Sequence, residues 1–198
     1  MHLEFWLKEV YPRIAEDLGL DVERDRKATK IMAEIGRGKL LPADVLKFIE
    51  GRNVVVLGPT AKSLDFECDV LITAGKSILN YDVIPHIHVT DGEEGWKILK
   101  KLEDEGCIIV LHAHGDNIEL IKEIVPKLKS FVATTQVEPI DGVYNFCGFT
   151  DGDRAVMIAK HFKARSIRLV GFDFEKADGL KLRKLRWAKY ILRMEGIV

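Results

Sequence analysis

A strand-like apolar run, Cys107-Ile108-Ile109-Val110-Leu111, ends abruptly in His112-Ala113-His114-Gly115-Asp116-Asn117. Two imidazoles, a carboxylate and an amide around a glycine suit a strand emerging into an active-site crevice, and a core needs none of them. A second polar cluster, Thr150-Asp151-Gly152-Asp153-Arg154, opens a helix-like segment further along. Asp91 and Glu93, with Glu94 beside them, follow the run from His86 to Thr90. Carboxylates two apart in a turn can share a hard cation, and Mg2+ would draw its remaining ligands from water and substrate phosphates. The plainer reading is that Glu93 and Glu94 favour the N-terminus of the following helix. Asp116 can cap the next helix, ligate a cation, or do both. These clusters together predict a small enzyme acting on a charged, phosphorylated ligand.

Other groups allow more than one chemistry. His112 and His114 point to the same side if the strand runs through them, a spacing that suits zinc or hydrogen bonds to a phosphate or leaving oxygen. Zinc needs further ligands, and no matching His/Cys cluster is present. Gly58-Pro59-Thr60, with Ser63 behind, offers a tight turn and hydroxyls for an anion, although the Walker A spacing is absent. Thr150 to Asp153 reads equally well as an N-cap series, while Asn145 and Arg154 beside it suggest a substrate-contacting turn. Lys184 lies in the basic stretch from Lys181 to Lys189, by default a solvated helix face and more sharply a reach towards a triphosphate.

The elements that must position these groups follow from hydrophobic periodicity. Short aliphatic runs recur at Val54 to Leu57, Val70 to Thr73, Ile87 to Thr90, Ile108 to Leu111, Phe131 to Thr134 and Ile167 to Val170. Helix-like stretches lie at Glu94 to Glu105, Asn117 to Lys129, Asp153 to Ala164 and Leu180 to Met194. Unbroken apolar strands alternating with helices predict an α/β fold, a mostly parallel sheet flanked by helices. The polar residues fall at the carboxyl ends of the strands, the edge where such sheets bind ligands. Residues 1–51 read as a helical N-terminal subdomain that demands no chemistry, with Pro12 kinking or restarting its first helix, and residues 52–198 as the catalytic domain.

Composition narrows the class. The chain has 198 residues, 47% hydrophobic and 31% charged, with a net charge of −1, so it is globular without a global pull towards nucleic acid or an anionic membrane. No apolar run is long enough for a membrane span and the N-terminus does not read as a secretory signal, so a cytoplasmic protein is expected. Cys68, Cys107 and Cys147 are too scattered for a disulfide framework. Self-association into a homo-oligomer is left open.

Taken in order, several motifs resemble the archaeal 6-hydroxymethyl-7,8-dihydropterin pyrophosphokinase family. They are Gly58-Pro59-Thr60, Pro85 with Val89-Thr90-Asp91, His112 to Asn117, Thr134-Thr135-Gln136, Asn145 to Ala155 and Gly171-Phe172-Asp173-Phe174. The resemblance implies Mg2+-dependent transfer of a diphosphate from ATP to the hydroxymethyl group of a pterin, releasing AMP, on the way to folate-like or methanopterin-like cofactors. That family is in turn similar to thiamine pyrophosphokinases, which implies Asp91, Glu93 and Asp116 as metal ligands and Asp91, His112, His114 and Asp116 as the catalytic group. ATP contacts are then expected from Gly58, Pro59, Thr60, Ser63, Gly115, Asn117 and Lys184. Pterin contacts are expected from Thr135, Gln136, Asn145, Thr150, Asp151, Asp153, Arg154 and Asp173. The chain departs from the family where Asp91-Gly92-Glu93-Glu94 replaces Asp-x-Asp-Gly, where Val56-Leu57-Gly58-Pro59-Thr60 replaces Gly-x-Gly-Pro-Ser and so loses one glycine, and where Cys147 stands in place of a glycine. Two competing readings are a zinc-dependent hydrolase built on His112 and His114, and a nucleotide- or sugar-nucleotide-binding module without catalysis.

Overall fold

The computed structural model describes residues 1–198. Helix α1 (Leu3–Phe5) passes through a π turn, Trp6–Val10, into α2 (Tyr11–Leu18). Pro12 stands at the start of α2, where its missing N–H costs nothing, so it restarts the helix rather than breaking it. Gly19, at φ 66, closes α2 in the left-handed conformation. Helix α3 (Val22–Ile35) begins at once, with the Asp21 carboxylate accepting from the Arg24 N–H at 3.1 Å. A 3-10 helix, Ala43–Ile49, leads into the sheet.

From there the chain builds β1 (Asn53–Leu57), β2 (Val70–Ala74), β3 (Ile87–Thr90), α4 (Trp96–Asp104), β4 (Ile108–Ala113), α5 (Ile118–Ile124), β5 (Val132–Thr135), β6 (Val143–Tyr144), α6 (Asp151–His161), β7 (Ser166–Val170) and α7 (Gly179–Met194). The seven strands lie in the order β6-β5-β4-β3-β2-β1-β7, and every ladder is parallel. The two-residue strand β6 is an addition to the expected set; it is too short to carry a periodic signal.

Strand side chains alternate between two cores, as the pleat requires. On one face Val54, Val56, Ile72, Val89 and Val110 pack with Val156 and Ala159 of α6. On the other Ile109, Leu111 and Ala133 pack with Leu99 of α4, Ile121 of α5 and Met32 of α3. A third cluster joins Trp6, Tyr11 and Ile14 to Met157 of α6 and Ile191 of α7, so the two ends of the chain clasp the same helix. No helix is long and apolar enough to cross a membrane.

Register decides what meets at the carboxyl edge. Thr90 pairs with Leu111, which brings Asp91 level with His112; Ala113 pairs with Thr135, which brings His114 level with Gln136.

Candidate active site

A cavity of about 270 Å³ opens over the ends of β3, β4 and β5. Its walls hold Asp91, His112, His114, Gly115, Asp116, Gln136, Thr150, Asp151, Arg154 and Lys184 of the expected residues. Five further residues, Gly19, Leu20, Asp21, Arg24 and Asp25, come from the α2–α3 corner. Only Leu20 and Phe149 are hydrophobic.

The acids are tuned against one another. Burial opposes the ionisation of Asp91, but His114, whose Nε2 lies 3.6 Å from Asp91 Oδ2, together with the charge of Arg154, holds the carboxyl below the usual range. Asp151 goes the other way: burial first, then the charge of Asp91, raises its carboxyl well above that range, with Arg154 working against the rise. Arg154 is itself buried, donating from Nη1 to Asp151 Oδ1 at 3.0 Å and from Nη2 to the Phe149 carbonyl at 2.8 Å. Its Nε has no partner. Gly75, at φ +53, crosses so close that a Cβ there would lie 2.6 Å from Asp151 Oδ2. His114 Nδ1 accepts from the Asp116 N–H at 3.3 Å, which leaves Nε2–H to donate towards Asp91. Asp116 is exposed at the rim, 3.7 Å from the guanidinium of Arg24.

His112 is buried beneath them. Thr134 Oγ1 holds its Nδ1 at 3.0 Å, and Nε2 has no partner. Burial, reinforced by Arg154 and His114, pushes its pKa well below 6.5, so the ring is neutral. In the unfolded chain it takes a proton near pH 6.5, so below that pH the unfolded state binds more protons and stability falls as pH falls. This window contributes up to about 1.4 kcal/mol per pH unit, and His112→Gln should remove it. Urea unfolding at pH 5 and pH 7 checks the difference between the two proteins; equal pH dependence would contradict a neutral buried ring.

Several expected residues build the site without lining it. Asn117 donates to the carbonyls of Asp91 at 2.8 Å and His112 at 2.7 Å and accepts from His114 N–H at 3.0 Å, pinning two strand ends. Asp153 accepts from the N–H groups of Phe149 at 2.6 Å and Thr150 at 2.8 Å, and caps α6. Asn145 bridges Val137 O and Cys147 N–H, each at 2.8 Å. Cys147 holds φ 67, the left-handed conformation glycine adopts freely, which accounts for a glycine at this place in the resembling family. Thr135 is buried against Thr29 Oγ1 at 2.7 Å.

Others lie apart from the cavity. Gly58 packs so tightly on β7 that a Cβ would lie 2.5 Å from the Gly171 carbonyl, and the N–H groups of Gly58 and Thr60 bond to Val170 and Gly171. Those amides are therefore already used, and Pro59, Thr60 and Ser63 face solvent without lining the cavity. Asp173 caps its own turn through Glu175 N–H at 3.0 Å. Glu93 points outward to an ion pair with Lys76. Glu94 is the inward acid: its side chain is fully buried, accepts from the Thr90 hydroxyl and lies 3.5 Å from His88 Nε2.

Sequence reading missed the α2–α3 corner. The carboxylate of Asp25 is buried and accepts from Tyr11 Oη, from Gln136 Nε2 at 2.9 Å and from Gly115 N–H at 2.6 Å. A usable signal existed, since Asp25 and Thr29 fall on the buried stripe of α3 with Ala28 and Met32, where unpartnered polar groups are costly.

The donor chemistry bears on a cation. Five aspartates against Arg24, Arg154 and Lys184 leave an acid excess in the cavity, which a divalent cation would offset. No three His, Cys, Asp or Glu residues cluster closely enough to hold a metal unaided. Mg2+ suits such a set, because it takes one or two carboxylates and completes its shell with phosphate and water. Zinc does not: the His112 and His114 rings stack 6.0 Å apart and no further soft ligand converges on them.

Comparison with known proteins adds to this geometry. The family model for 6-hydroxymethylpterin diphosphokinase MptE-like proteins matches residues 64–179. The chain is 35% identical to the 6-hydroxymethyl-7,8-dihydropterin pyrophosphokinase of Methanocaldococcus jannaschii, over 92% of this chain and 91% of that protein. It is 34% identical to the protein of the same name from Pyrococcus furiosus, over 98% of this chain and 84% of the relative. For the one from Methanothermobacter thermautotrophicus the identity is 33%, over 88% and 79%.

Proposed function

The chain belongs to the MptE-like 6-hydroxymethylpterin diphosphokinase family, and from that premise we propose that it transfers a diphosphate from ATP to the hydroxymethyl group of 6-hydroxymethyl-7,8-dihydropterin, releasing AMP. The observation that carries this reading is that one polar cavity is lined by Asp91, Asp116, Asp151 and Arg154 together. The substrate oxygen attacks the β-phosphorus in line, the new O–P bond forms, and the bond to the α-phosphate oxygen breaks with its electron pair leaving on AMP. The hydroxyl proton passes to solvent or product. Such chemistry rests on positioning and electrostatics rather than on covalent help from the protein.

Asp91 and Asp116, with Asp151 now beside them and Glu93 outside the cavity, are the carboxylates that would hold Mg2+. The ion, when bound, neutralises charge on the bridging phosphate oxygens. Arg154 sits among the acids as the fixed positive charge, suited to charge building up on the transferred group. His114, whose Nε2 lies 3.6 Å from Asp91 Oδ2, stands where it can orient that carboxylate. Arg24 and Lys184 at the rim meet the remaining phosphates as solvated cations. Asn117, pinning Asp91 to His112, keeps the two strand ends in register rather than touching ATP.

Purified protein incubated with the pterin alcohol, ATP and Mg2+ is expected to yield AMP and pterin diphosphate in equal amounts by chromatography. Adding excess chelator stops the reaction. ADP as the nucleotide product, or no turnover, rejects the scheme.

A further inference from the structure

The cavity is lined almost wholly by polar groups, among them Asp91, Asp116, Asp151 and the cations Arg24, Arg154 and Lys184. Leu20 and Phe149 are its only hydrophobic residues, and they belong to the same apolar cluster as Trp6, Tyr11 and Ile14. Gln136 and His112 lie on that cavity's floor, both buried, at 4% and 1% exposure. Gln136 turns its amide nitrogen to Asp25 at 2.9 Å and Tyr11 Oη at 3.4 Å, so it offers its carbonyl oxygen as an acceptor. His112 is fixed at Nδ1 by Thr134, and Nε2, with the Gln136 side chain near the ring, makes no hydrogen bond within 3.5 Å. A buried polar atom without a partner is costly, and here it lines the place where a ligand enters.

Resting on the diphosphotransfer reading above, we propose that Leu20, Phe149, Gln136 and His112 form the subsite for the flat ring of the acceptor, with His112 Nε2 reading a polar atom on the ring edge and Leu20 and Phe149 covering its face. Two ring systems compete for this place, the pterin and the adenine of ATP. Distance favours the pterin. The His112 ring is 6.0 Å from the His114 ring, whose Nε2 is 3.6 Å from Asp91. A pterin carries its reacting oxygen on a single exocyclic carbon, so its ring must sit close beside the acids. Adenine is separated from the β-phosphorus by a ribose and a phosphate, and it would overshoot. Leu20 lies outside residues 64–179, so the α2–α3 corner contributes to ring choice from beyond the matched stretch.

Direct binding tests this on the full chain. Pterin alcohol alone is titrated by its fluorescence, and ATP with Mg2+ by calorimetry, for wild type, His112→Asn, His112→Gln and Leu20→Ala. Asparagine places its amide near Nδ1 and keeps a partner for Thr134, whereas glutamine extends an amide towards the position of Nε2. His112→Asn should weaken pterin binding about tenfold while leaving the ATP constant unchanged, and His112→Gln should recover most of that loss. Leu20→Ala should also weaken the pterin, by about threefold to tenfold, through lost contact area. A purely structural role for His112 would lower both affinities together and would not separate Asn from Gln. Weakened ATP binding with unchanged pterin binding gives the subsite to adenine and overturns the proposal. Failure of the wild type to bind pterin at all rejects the proposed reaction itself, and the subsite with it.

Discussion

Asp91→Asn is expected to lower the rate of AMP formation by on the order of 10³, because a carboxylate that helps hold a charge-neutralising cation is worth several kcal/mol in the transition state. Stability should hardly change. Asp91 is held ionised by His114 and Arg154, but it also repels Asp151, whose carboxyl it helps to push upward. Removing its charge loses the attraction of His114 and Arg154 and relieves the repulsion of Asp151, so unfolding free energy should stay within about 1 kcal/mol of wild type. Urea titration and AMP release, measured on the same preparation, separate the two effects. A variant that keeps more than a tenth of wild-type turnover at saturating Mg2+ would remove Asp91 from the reaction.

Arg154→Met should damage both rate and fold. The guanidinium is buried, joins Asp151 to the Phe149 carbonyl, and stands among acids that would otherwise be uncompensated. Deleting one partner of a buried ion pair typically costs about 3 kcal/mol or more, and a cation stabilising a transferring phosphoryl group is worth about 10³ or more in rate. Arg154→Lys restores the charge without the fork that reaches two acceptors, so it should recover stability more fully than rate. Thermal melting and single-turnover AMP release report the two quantities. Full activity in the lysine variant would show that charge alone matters.

Much of the scaffold is legible in the chain because unbroken apolar runs such as Val54 to Leu57 and Ile108 to Leu111 have few alternatives to buried parallel strands. The polar residues after them mark the ligand edge for the same reason. What periodicity cannot supply is the meeting of segments far apart. Gly58-Pro59-Thr60 has the composition of an anion loop, yet pairing of β1 with β7 uses its amides and turns it away. Glu93 and Glu94 are adjacent, and only the direction of the turn, with Gly92 at φ 94 and Gly95 at φ 83, decides which one enters the interior. Asp151 reads as one member of a helix cap; its acid character depends on Asp91, 60 positions earlier by residue number. Asp25 lay in a segment that demanded no chemistry, and its contact with Gly115 is invisible until the fold closes.

That contact, in which the carboxylate of Asp25 grips the backbone of Gly115 while Gln136 and Tyr11 converge on the same side chain, divides labour along the polypeptide. On the proposed reading, strand tips furnish the reacting edge, and the leading helices furnish a cheek that selects what lies against it. A chimera carrying the opening helices of one relative on the sheet of another would then inherit the donor's taste in acceptor while keeping the host's phosphoryl chemistry, provided the Asp25–Gly115 latch is retained.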